Sequence, residues 1–295
     1  MKYVITGSLG NISKPITQKL VAAGHQVTVI SSKADKTAEI EAIGAKAAIG
    51  SVEDIAFLTK TFVGADAIYT MVPPKWDAAD WKGYIAHIGQ NYAEAIKSSG
   101  VKKVVNLSSI GAHMPDGCGP VSGIFYVEKV LNELVGVDVK HLRPGFFYGN
   151  FYGNISMIKH AGIIGGNYGV NSTLVLSSTN DIATAAVEEL LGLTFKDKSV
   201  RYLASDERTT NEIAQILGTA IGKPELPWID FKDEDAEGGM IGAGLSAEVA
   251  KNYTEMGKAL REGKMTEDFQ KNRPSTFGTT KLTDFAKEFA FAFNA

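Results

Sequence analysis

The residues best suited to chemistry lie near the start of the chain, in the stretch ITGSLGNIS at 5–13. Gly7 and Gly10 follow a short β-branched run, Lys2–Thr6, and precede a segment with helical spacing. Glycines at this spacing allow a tight turn and a close approach of backbone amides to a phosphate. Ser13 stands where such loops usually have a third glycine, and its small side chain makes the helix–strand packing strained but feasible. The pattern predicts nucleotide binding; the alternative is a glycine turn without a ligand.

The end of the second predicted strand, Gln26–Ile30, bears on which nucleotide binds. A site for NAD places Asp or Glu about 20 residues after the loop, where the carboxylate bonds the ribose hydroxyls. Here Ser31, Ser32 and Lys33 follow the strand, and Asp35 lies further along the chain. Hydroxyls and a cation suit a 2′-phosphate better than a carboxylate does. We therefore predict NADP(H) in preference to NAD(H), the alternative for Lys33 being a solvated loop lysine.

Composition limits the classes of protein to consider. The 295 residues are 44% hydrophobic and carry a net charge of −3, which allows one or two domains and gives no sign of a nucleic-acid partner. The single cysteine, Cys118, rules out a disulfide within the chain and is interpreted as a packing residue. A first strand at about Tyr3 leaves no signal peptide, and no apolar stretch approaches the ~18 residues of a membrane span. We expect a soluble, cytoplasmic protein without a metal site.

Strand-like and helix-like segments alternate through the first half of the chain. This rhythm predicts an α/β fold with a parallel sheet and helices on both faces. The second half is less regular, and we expect its segments to return partly to the same sheet and partly to build a smaller cap over the carboxyl edge. A helix over Thr210–Gly222 is expected to be capped by Asn211 or Thr210. The other predicted strands are Ala45–Ile49, Ala65–Val72, Lys103–Leu107, Val139–Leu142, Leu174–Leu176 and Val200–Ala204.

These features together resemble the NmrA-like branch of the atypical short-chain dehydrogenases/reductases. The resemblance covers nearly the whole chain and rests on ITGSLGNIS, VVNLSSIGA, VEKVL, HLRPGFFYGN and SSTNDIATAAVEELL. It implies a doubly wound parallel Rossmann sheet at 1–150 that binds NAD(P), and a smaller C-terminal α/β substrate domain at 151–295. The branch includes NADPH-dependent quinone reductases, triphenylmethane-dye reductases and NADP-sensing regulators. The resemblance therefore leaves the substrate open.

The same resemblance implies the residues that contact the cofactor. The cofactor phosphates would meet Gly7, Leu9, Gly10, Asn11 and Ile12. The adenosine end would be held by Ser31, Ser32 and Lys33. Met71 and Val72 would flank the adenine or the pyrophosphate. The nicotinamide and its ribose would meet Ser108, Ser109, Lys129, Pro144, Gly145 and Phe146.

The chain departs from the superfamily's usual catalytic pair, a Tyr four residues before a Lys. Lys129 is present, but Phe125 occupies the tyrosine position and has no proton to give. Tyr126 is one residue away, about 100° around a helix. His113, in the loop after the fifth strand, is a second candidate proton donor. The alternatives are a packed or surface aromatic for Tyr126 and a solvent-exposed histidine for His113.

An aromatic run follows the predicted carboxyl edge of the sheet, where open α/β folds bind their ligands. We predict that it walls a pocket for a flat apolar acceptor, with Trp76 and Trp81 of the PPKWDAADW loop opposite. The alternative is hydrophobic core between the two domains. The run consists of Phe146, Phe147, Tyr148, Phe151 and Tyr152.

Two functions from different classes fit these features. The first is an oxidoreductase that transfers a hydride from NADPH to a small planar acceptor such as a quinone, a step that depends mostly on positioning. The second is a non-catalytic NADP(H) sensor that acts through a protein partner, which the missing tyrosine favours. An epimerase or dehydratase is less favoured, because those reactions depend on the tyrosine that Phe125 replaces.

Overall fold

A computed structural model describes all 295 residues of the chain. Its centre is a seven-stranded sheet in which every neighbouring pair is parallel, with the strand order β10-β6-β5-β4-β1-β2-β3. The strands are β1 (Lys2–Ile5), β2 (Gln26–Ser31), β3 (Lys46–Ile49), β4 (Ala67–Thr70), β5 (Lys103–Leu107), β6 (Asp138–Pro144), β7 (Phe146–Phe147), β8 (Ile164–Gly166), β9 (Thr173–Ser177), β10 (Lys198–Leu203), β11 (Asp206–Thr209) and β12 (Trp228–Asp230).

Twelve helices accompany the strands, and three short 3₁₀ turns lie between them. No helix combines the length and the apolar character that crossing a membrane requires. The helices are α1 (Ser13–Ala22), α2 (Thr37–Ala42), α3 (Ile55–Phe62), α4 (Trp81–Ser99), α5 (Pro120–Asn132), α6 (Ile155–Ala161), α7 (Thr179–Gly192), α8 (Thr210–Ala220), α9 (Asp233–Gly242), α10 (Ala247–Arg261), α11 (Glu267–Lys271) and α12 (Leu282–Asn294).

The two faces of the main sheet are covered by different helices. Helices α1 and α7 cover one face around a core that contains Ile16 and Ile182. Helices α3, α4 and α5 cover the other face around Leu58, Ile88 and Val127. Because strands of a parallel sheet are buried on both sides, consecutive residues in them are apolar, as Val104 and Val105 of β5 show. The doubly wound α/β class predicted from the sequence is confirmed.

The second half of the chain adds one strand to the main sheet and also builds a cap. Strand β10 lies at the edge of the main sheet beside β6, whereas β7, β9 and β11 form a separate three-stranded sheet. A third core lies between this small sheet and the helices α8, α10 and α12. The predicted segment Leu174–Leu176 therefore belongs to the cap. The division of the chain at residue 150 stays a prediction.

The predicted N-cap of helix α8 is wrong by one or two residues. Helix α8 is capped by Thr209, whose Oγ1 accepts from the amide of Glu212 while the Glu212 carboxylate accepts from the amide of Thr209. Asn211 and Thr210 lie inside the helix. The reciprocal pair is a capping box, which places the N-cap three residues before a Glu.

A buried histidine in β6 gives the fold a pH-dependent stability. The Nδ1 atom of His141 accepts from Asn106 at 3.1 Å, and its Nε2 donates to Asn132 at 3.0 Å. Burial lowers the pKa of His141 from 6.5 to about 4. Because the pKa of His141 is lower in the folded than in the unfolded protein, its contribution to the free energy of unfolding is complete above about pH 6.5. That contribution is lost as the pH falls toward 4.

We expect His141 to contribute about 2–3 kcal/mol to the loss of unfolding free energy between about pH 7 and pH 4.5. Urea denaturation of the wild type and of His141→Gln measures this contribution directly. The glutamine variant keeps a polar side chain but cannot titrate, so its pH dependence should be shallower. Parallel pH profiles for the two proteins would contradict the assignment.

Candidate functional site

The glycine loop leaves backbone amides free at the start of α1. Gly7 has a φ of +86°, and the amide of Gly10 donates to its carbonyl at 3.2 Å, which closes the turn. Helix α1 has no side-chain cap and no acidic residue in its first turn. The amides of Leu9, Asn11, Ile12 and Ser13 donate to no protein acceptor. An uncapped helix N-terminus with free amides is suited to bind a phosphate.

Ser13 fits the third position of the loop through a hydrogen bond. Its hydroxyl donates to the carbonyl of Thr6 at 2.8 Å, so the helix is fastened to the end of β1. A Cβ on Gly7 would lie 2.7 Å from this hydroxyl and 2.9 Å from Cγ of Met71. The expected strain from Ser13 is therefore avoided because Gly7 leaves room for it. Met71 is held there by its amide, which donates to the Thr6 hydroxyl at 2.9 Å.

The end of β2 lies against the glycine loop. The amide of Ser8 donates to the carbonyl of Ile30, and the Ser8 hydroxyl donates to the Ser31 hydroxyl, both at 3.0 Å. Ser31 is buried, whereas Ser32 and Lys33 are exposed beside it.

The charges around this strand end favour one lysine as an anion contact. Lys14 and Lys36 both pair with Glu39, at 3.2 and 2.8 Å. Lys33 has no carboxylate partner. The end of β2 thus presents hydroxyls and one lysine without an ion-pair partner, a set that matches a phosphate group.

A buried ionic network lies where β5 and β6 end, and sequence reasoning missed it. The carboxylate of Glu128, on α5, accepts from the Ser108 hydroxyl and from Nε and Nη2 of Arg143, the latter two at 2.9 and 2.6 Å. Nη1 of Arg143 donates to Asp268 and to the Tyr202 hydroxyl, each at 2.9 Å. Burial opposes the charge of Arg143, but the bonds to Glu128 outweigh it and raise its pKa.

Glu128, the neighbour of Lys129, is the α5 residue that contacts Ser108. Glu128 lies on the buried face of α5 and contacts Ser108, whereas Lys129, about 100° further round, is exposed. Tyr126 shares the exposed face, with 41% of its surface accessible and its ring edge-on to Phe125. Both side chains are open to solvent, and their predicted roles at the nicotinamide stay predictions. The signal available in the sequence was the acidic residue next to Lys129 in VEKVL.

His113 lies in the loop after β5 and is partly buried. Its Nδ1 atom is buried and has no hydrogen-bond partner in the chain. The residue does not line the cavity described next. Its role as a proton donor stays a prediction. Cys118, in the same loop region, is buried, and burial raises the pKa of its thiol to about 12.

A cavity of about 210 Å³ opens at the carboxyl ends of β5 and β6. Helix α10 and the 3₁₀ turn that follows it form its second side. Because adjacent strands are about 4.8 Å apart, the cavity lies roughly 10–15 Å along the sheet edge from the glycine loop. None of its lining residues is charged; they are Ser109, Ile110, Gly145, Phe146, Phe147, Asn150, Val175, Met256, Leu260, Met265 and Thr266.

Four of the five aromatic residues predicted to wall this pocket divide into two groups. Phe146 and Phe147 line the cavity. Tyr148 and Phe151 are instead core residues; the Tyr148 ring stacks on Phe285 of α12 and its hydroxyl donates to the Thr280 carbonyl. Tyr148 and Phe151 therefore form part of the hydrophobic core, the alternative given for the aromatic run.

Trp76 and Trp81, which were predicted to form the opposite wall, do not line this cavity. Trp76 is 54% exposed and its ring packs on Trp81 and Tyr253, with centroids 5.3 and 6.2 Å apart. None of these three residues lines the cavity. The Trp76 carbonyl accepts from Ser246, and the amide of Trp81 donates to Glu248, so the loop is fastened to the start of α10.

A second, more polar groove of about 560 Å³ lies between α7, β10 and residues 272–279. Its charged groups are already occupied. Asp181, in the NDIA motif, accepts from the hydroxyls of Ser205 and Thr280, and Arg201 pairs with Glu188 and Glu189. The NDIA motif therefore has a structural role here, and the cavity at the sheet edge is the better candidate site.

Comparisons with known proteins agree with this geometry. Residues 7–132 match a family described as NAD(P)H-binding. The chain is 23% identical over 294 residues to an NAD(P)H azoreductase of Xenophilus azovorans, with 99% of each chain covered. It superposes on a crystal structure of an NADPH-dependent quinone oxidoreductase from Escherichia coli in complex with NADPH, at a TM-score of 0.83 and 20% identity, covering 97% of this chain and 99% of that one.

A further match is the Citrobacter sp. triphenylmethane reductase in complex with NADP(H). Its TM-score is 0.80 at 20% identity, and it covers 98% of this chain and 100% of that chain. At such identities these two structures show the fold. Fold and site together define an NAD(P)H-binding Rossmann protein. The segment 7–132 matches the NAD(P)H-binding family, and the whole chain shares its fold with these two reductase structures.

Proposed function

We propose that the protein is an NADPH-dependent reductase of a small planar acceptor such as a quinone. The observation that carries the proposal is the position of the apolar cavity on the same sheet edge as the free amides of the glycine loop. An extended dinucleotide anchored by its phosphates at β1 reaches β5 and β6 along this edge. Its nicotinamide would then lie beside Ser109, Gly145 and Phe146, and the acceptor would occupy the rest of the cavity.

The residues of the chain fit the cofactor at both ends. The amides of Leu9, Asn11 and Ile12 would hold the pyrophosphate, and Ser31, Ser32 and Lys33 would hold the adenosine end with its 2′-phosphate. When bound, the cofactor supplies a hydride, which with one proton converts a quinone into a hydroquinone and leaves NADP⁺. The chain contributes by orienting both rings and by excluding water from the cavity. The proton reaches the product from solvent or from His113.

The preference for NADPH has its own test in Lys33→Asp. We expect this variant to raise the NADPH dissociation constant about tenfold, since it loses one charge-assisted contact to the 2′-phosphate. NADH binding should change less than about twofold. Fluorescence titration of both cofactors measures the ratio, with Lys60→Asp on the exposed side of α3 as a control of equal charge change. Equal weakening of both cofactors by Lys33→Asp would contradict the assignment.

Turnover is tested by following NADPH oxidation with a panel of quinones, dyes and aldehydes, alongside a cofactor titration. Turnover on the order of 1 s⁻¹ or faster with a quinone supports the proposal, because that rate lies within the range of ordinary enzymes. Cofactor binding without turnover of any acceptor would contradict it.

A non-catalytic NADP(H) sensor is the second candidate function. It is favoured by one observation: Phe125 and the exposed Tyr126 leave no tyrosine acid on the buried face of α5. A sensor must bind NADPH and NADP⁺ with different affinities, since only differential binding shifts a conformational equilibrium. Equal dissociation constants for the two forms, together with turnover, would exclude it.

A further inference from the structure

The lining of the cavity is uncharged, although charged residues lie close by. Asp268, two residues after the lining residue Thr266, is bound by Arg143 and Tyr202. Lys264, just before the lining residue Met265, pairs with Glu262 at 2.7 Å. Neither nearby charge is left to neutralise a charged ligand.

The polar atoms of the lining are also few. Of the lining side chains only Ser109, Asn150 and Thr266 have hydrogen-bonding groups. The Ser109 hydroxyl donates to the Ile110 carbonyl, and the Thr266 hydroxyl donates to the Gly263 carbonyl at 3.0 Å. The remaining surface is aliphatic, aromatic or thioether. Such a lining matches a neutral ring with one or two carbonyl acceptors.

The size of the cavity limits the number of rings that the ligand can place inside it. Its volume of about 210 Å³ is below the roughly 300–1,000 Å³ of pockets for drug-sized ligands. Part of this space is taken by the nicotinamide in the proposed complex. The room that remains suits one or two fused rings.

We infer that the acceptor is an uncharged one- or two-ring quinone, and that Met256, Leu260 and Met265 select it against charged ring systems. This inference rests on the proposed reductase function. A sulfonate or other fixed charge placed in the cavity would lose its hydration without gaining a partner, which is strongly unfavourable. Thioether and aliphatic side chains adapt to a flat neutral ring at little cost.

The first test compares ortho-naphthoquinone with its ring sulfonate, each corrected for its direct reaction with NADPH. We expect kcat/KM for the neutral quinone to be higher by about 100-fold or more, as for a buried unpaired polar group. A cationic triphenylmethane dye, with three aryl rings, should be reduced as poorly as the sulfonate. Equal kcat/KM for the neutral and charged acceptors would overturn the inference while leaving the reductase function standing.

Isothermal titration calorimetry tests the inference without turnover. The neutral naphthoquinone and its sulfonate are each titrated into the protein with NADP⁺ bound. Binding of the neutral quinone alone, without turnover, would support the inferred cavity chemistry and contradict the reductase function. Binding of neither quinone, or equal binding of both, would overturn the inference.

The variant Met256→Lys places a cation in the cavity from α10. We expect it to raise kcat/KM for the sulfonate and lower it for the neutral quinone, changing their ratio by about tenfold or more. Met240→Lys adds the same charge on α9, none of whose residues is buried or lines the cavity, and should leave the ratio as in the wild type. An identical shift in both variants, or none in Met256→Lys, would contradict selection at the cavity.

Discussion

Replacement of Arg143 by Met should lower the free energy of unfolding by about 3–5 kcal/mol, the usual cost of removing one partner from a buried ion pair. The guanidinium binds both carboxylate oxygens of Glu128 and also Asp268. Without it, Glu128 is left with the Ser108 hydroxyl as its only bonded donor. Methionine fills much of the same volume, so the loss reports the uncompensated charge. Urea denaturation gives the measurement.

Two further variants separate this cause from a general effect of losing an arginine. Adding Glu128→Gln to Arg143→Met removes the stranded charge and should restore part of the lost stability. Arg201→Met breaks pairs with Glu188 and Glu189 on a more exposed surface and should cost about 1 kcal/mol or less. A loss of similar size in Arg201→Met and Arg143→Met would refute the special role of the buried network.

The same network shows why the sequence could not place the residues of α5. The spacing of apolar residues predicts a helix, but the rotation of that helix depends on which neighbours pack against it. Helix α5 approaches α4 closely at Gly89, because a Cβ at Gly89 would lie only 2.8 Å from the Cα of Val127. Gly123 receives Ile85 in the same way. These two contacts help set the rotation that buries Glu128, and neither can be read from one segment alone.

The alternation of strands and helices was more informative, because it depends on local periodicity. Strand β5 has the predicted bounds Lys103–Leu107. Helix α3 was not predicted: its sequence, IAFLTKTF, is only eight residues long and rich in β-branched and aromatic residues. Asp54 provides its N-cap by accepting from the amide of Phe57.

The aromatic run at 146–152 shows a second limit of sequence reasoning. All of its rings follow the carboxyl edge of the sheet, so composition alone cannot separate pocket wall from core. Helix α12 separates core aromatics from those at the cavity, because its Phe285 packs on Tyr148 and Tyr152. Phe146 and Phe147 remain at the cavity. A contact with the last helix of the chain, more than 130 residues away, therefore decides which aromatics line the site.

Replacement of Gly10 by Val should raise the dissociation constant for NADPH by about 100-fold or more, equivalent to about 3 kcal/mol. A Cβ at Gly10 would meet only the Gly7 carbonyl, at 3.2 Å. Because Gly10 lies among the free amides of the loop, we expect the valine side chain to compete with a phosphate for this space. Gly10 does not have a positive φ, and valine is therefore tolerated by the backbone. The unfolding free energy should change by about 1 kcal/mol or less. Fluorescence titration and urea denaturation measure the two quantities.

The matched control is Gly239→Val, on exposed α9, where an added Cβ meets nothing within 4 Å. It should leave NADPH binding unchanged, because α9 neither follows β1 nor lines the cavity. If Gly10→Val binds NADPH as tightly as the wild type, the glycine loop is a turn without a ligand, and the cofactor assignment falls with it. If Gly10→Val loses both stability and binding, Gly10→Ala adds a smaller group at the same point. A graded loss of affinity from Gly to Ala to Val, at constant stability for Ala, then shows that the side chain competes with the phosphate for the same space.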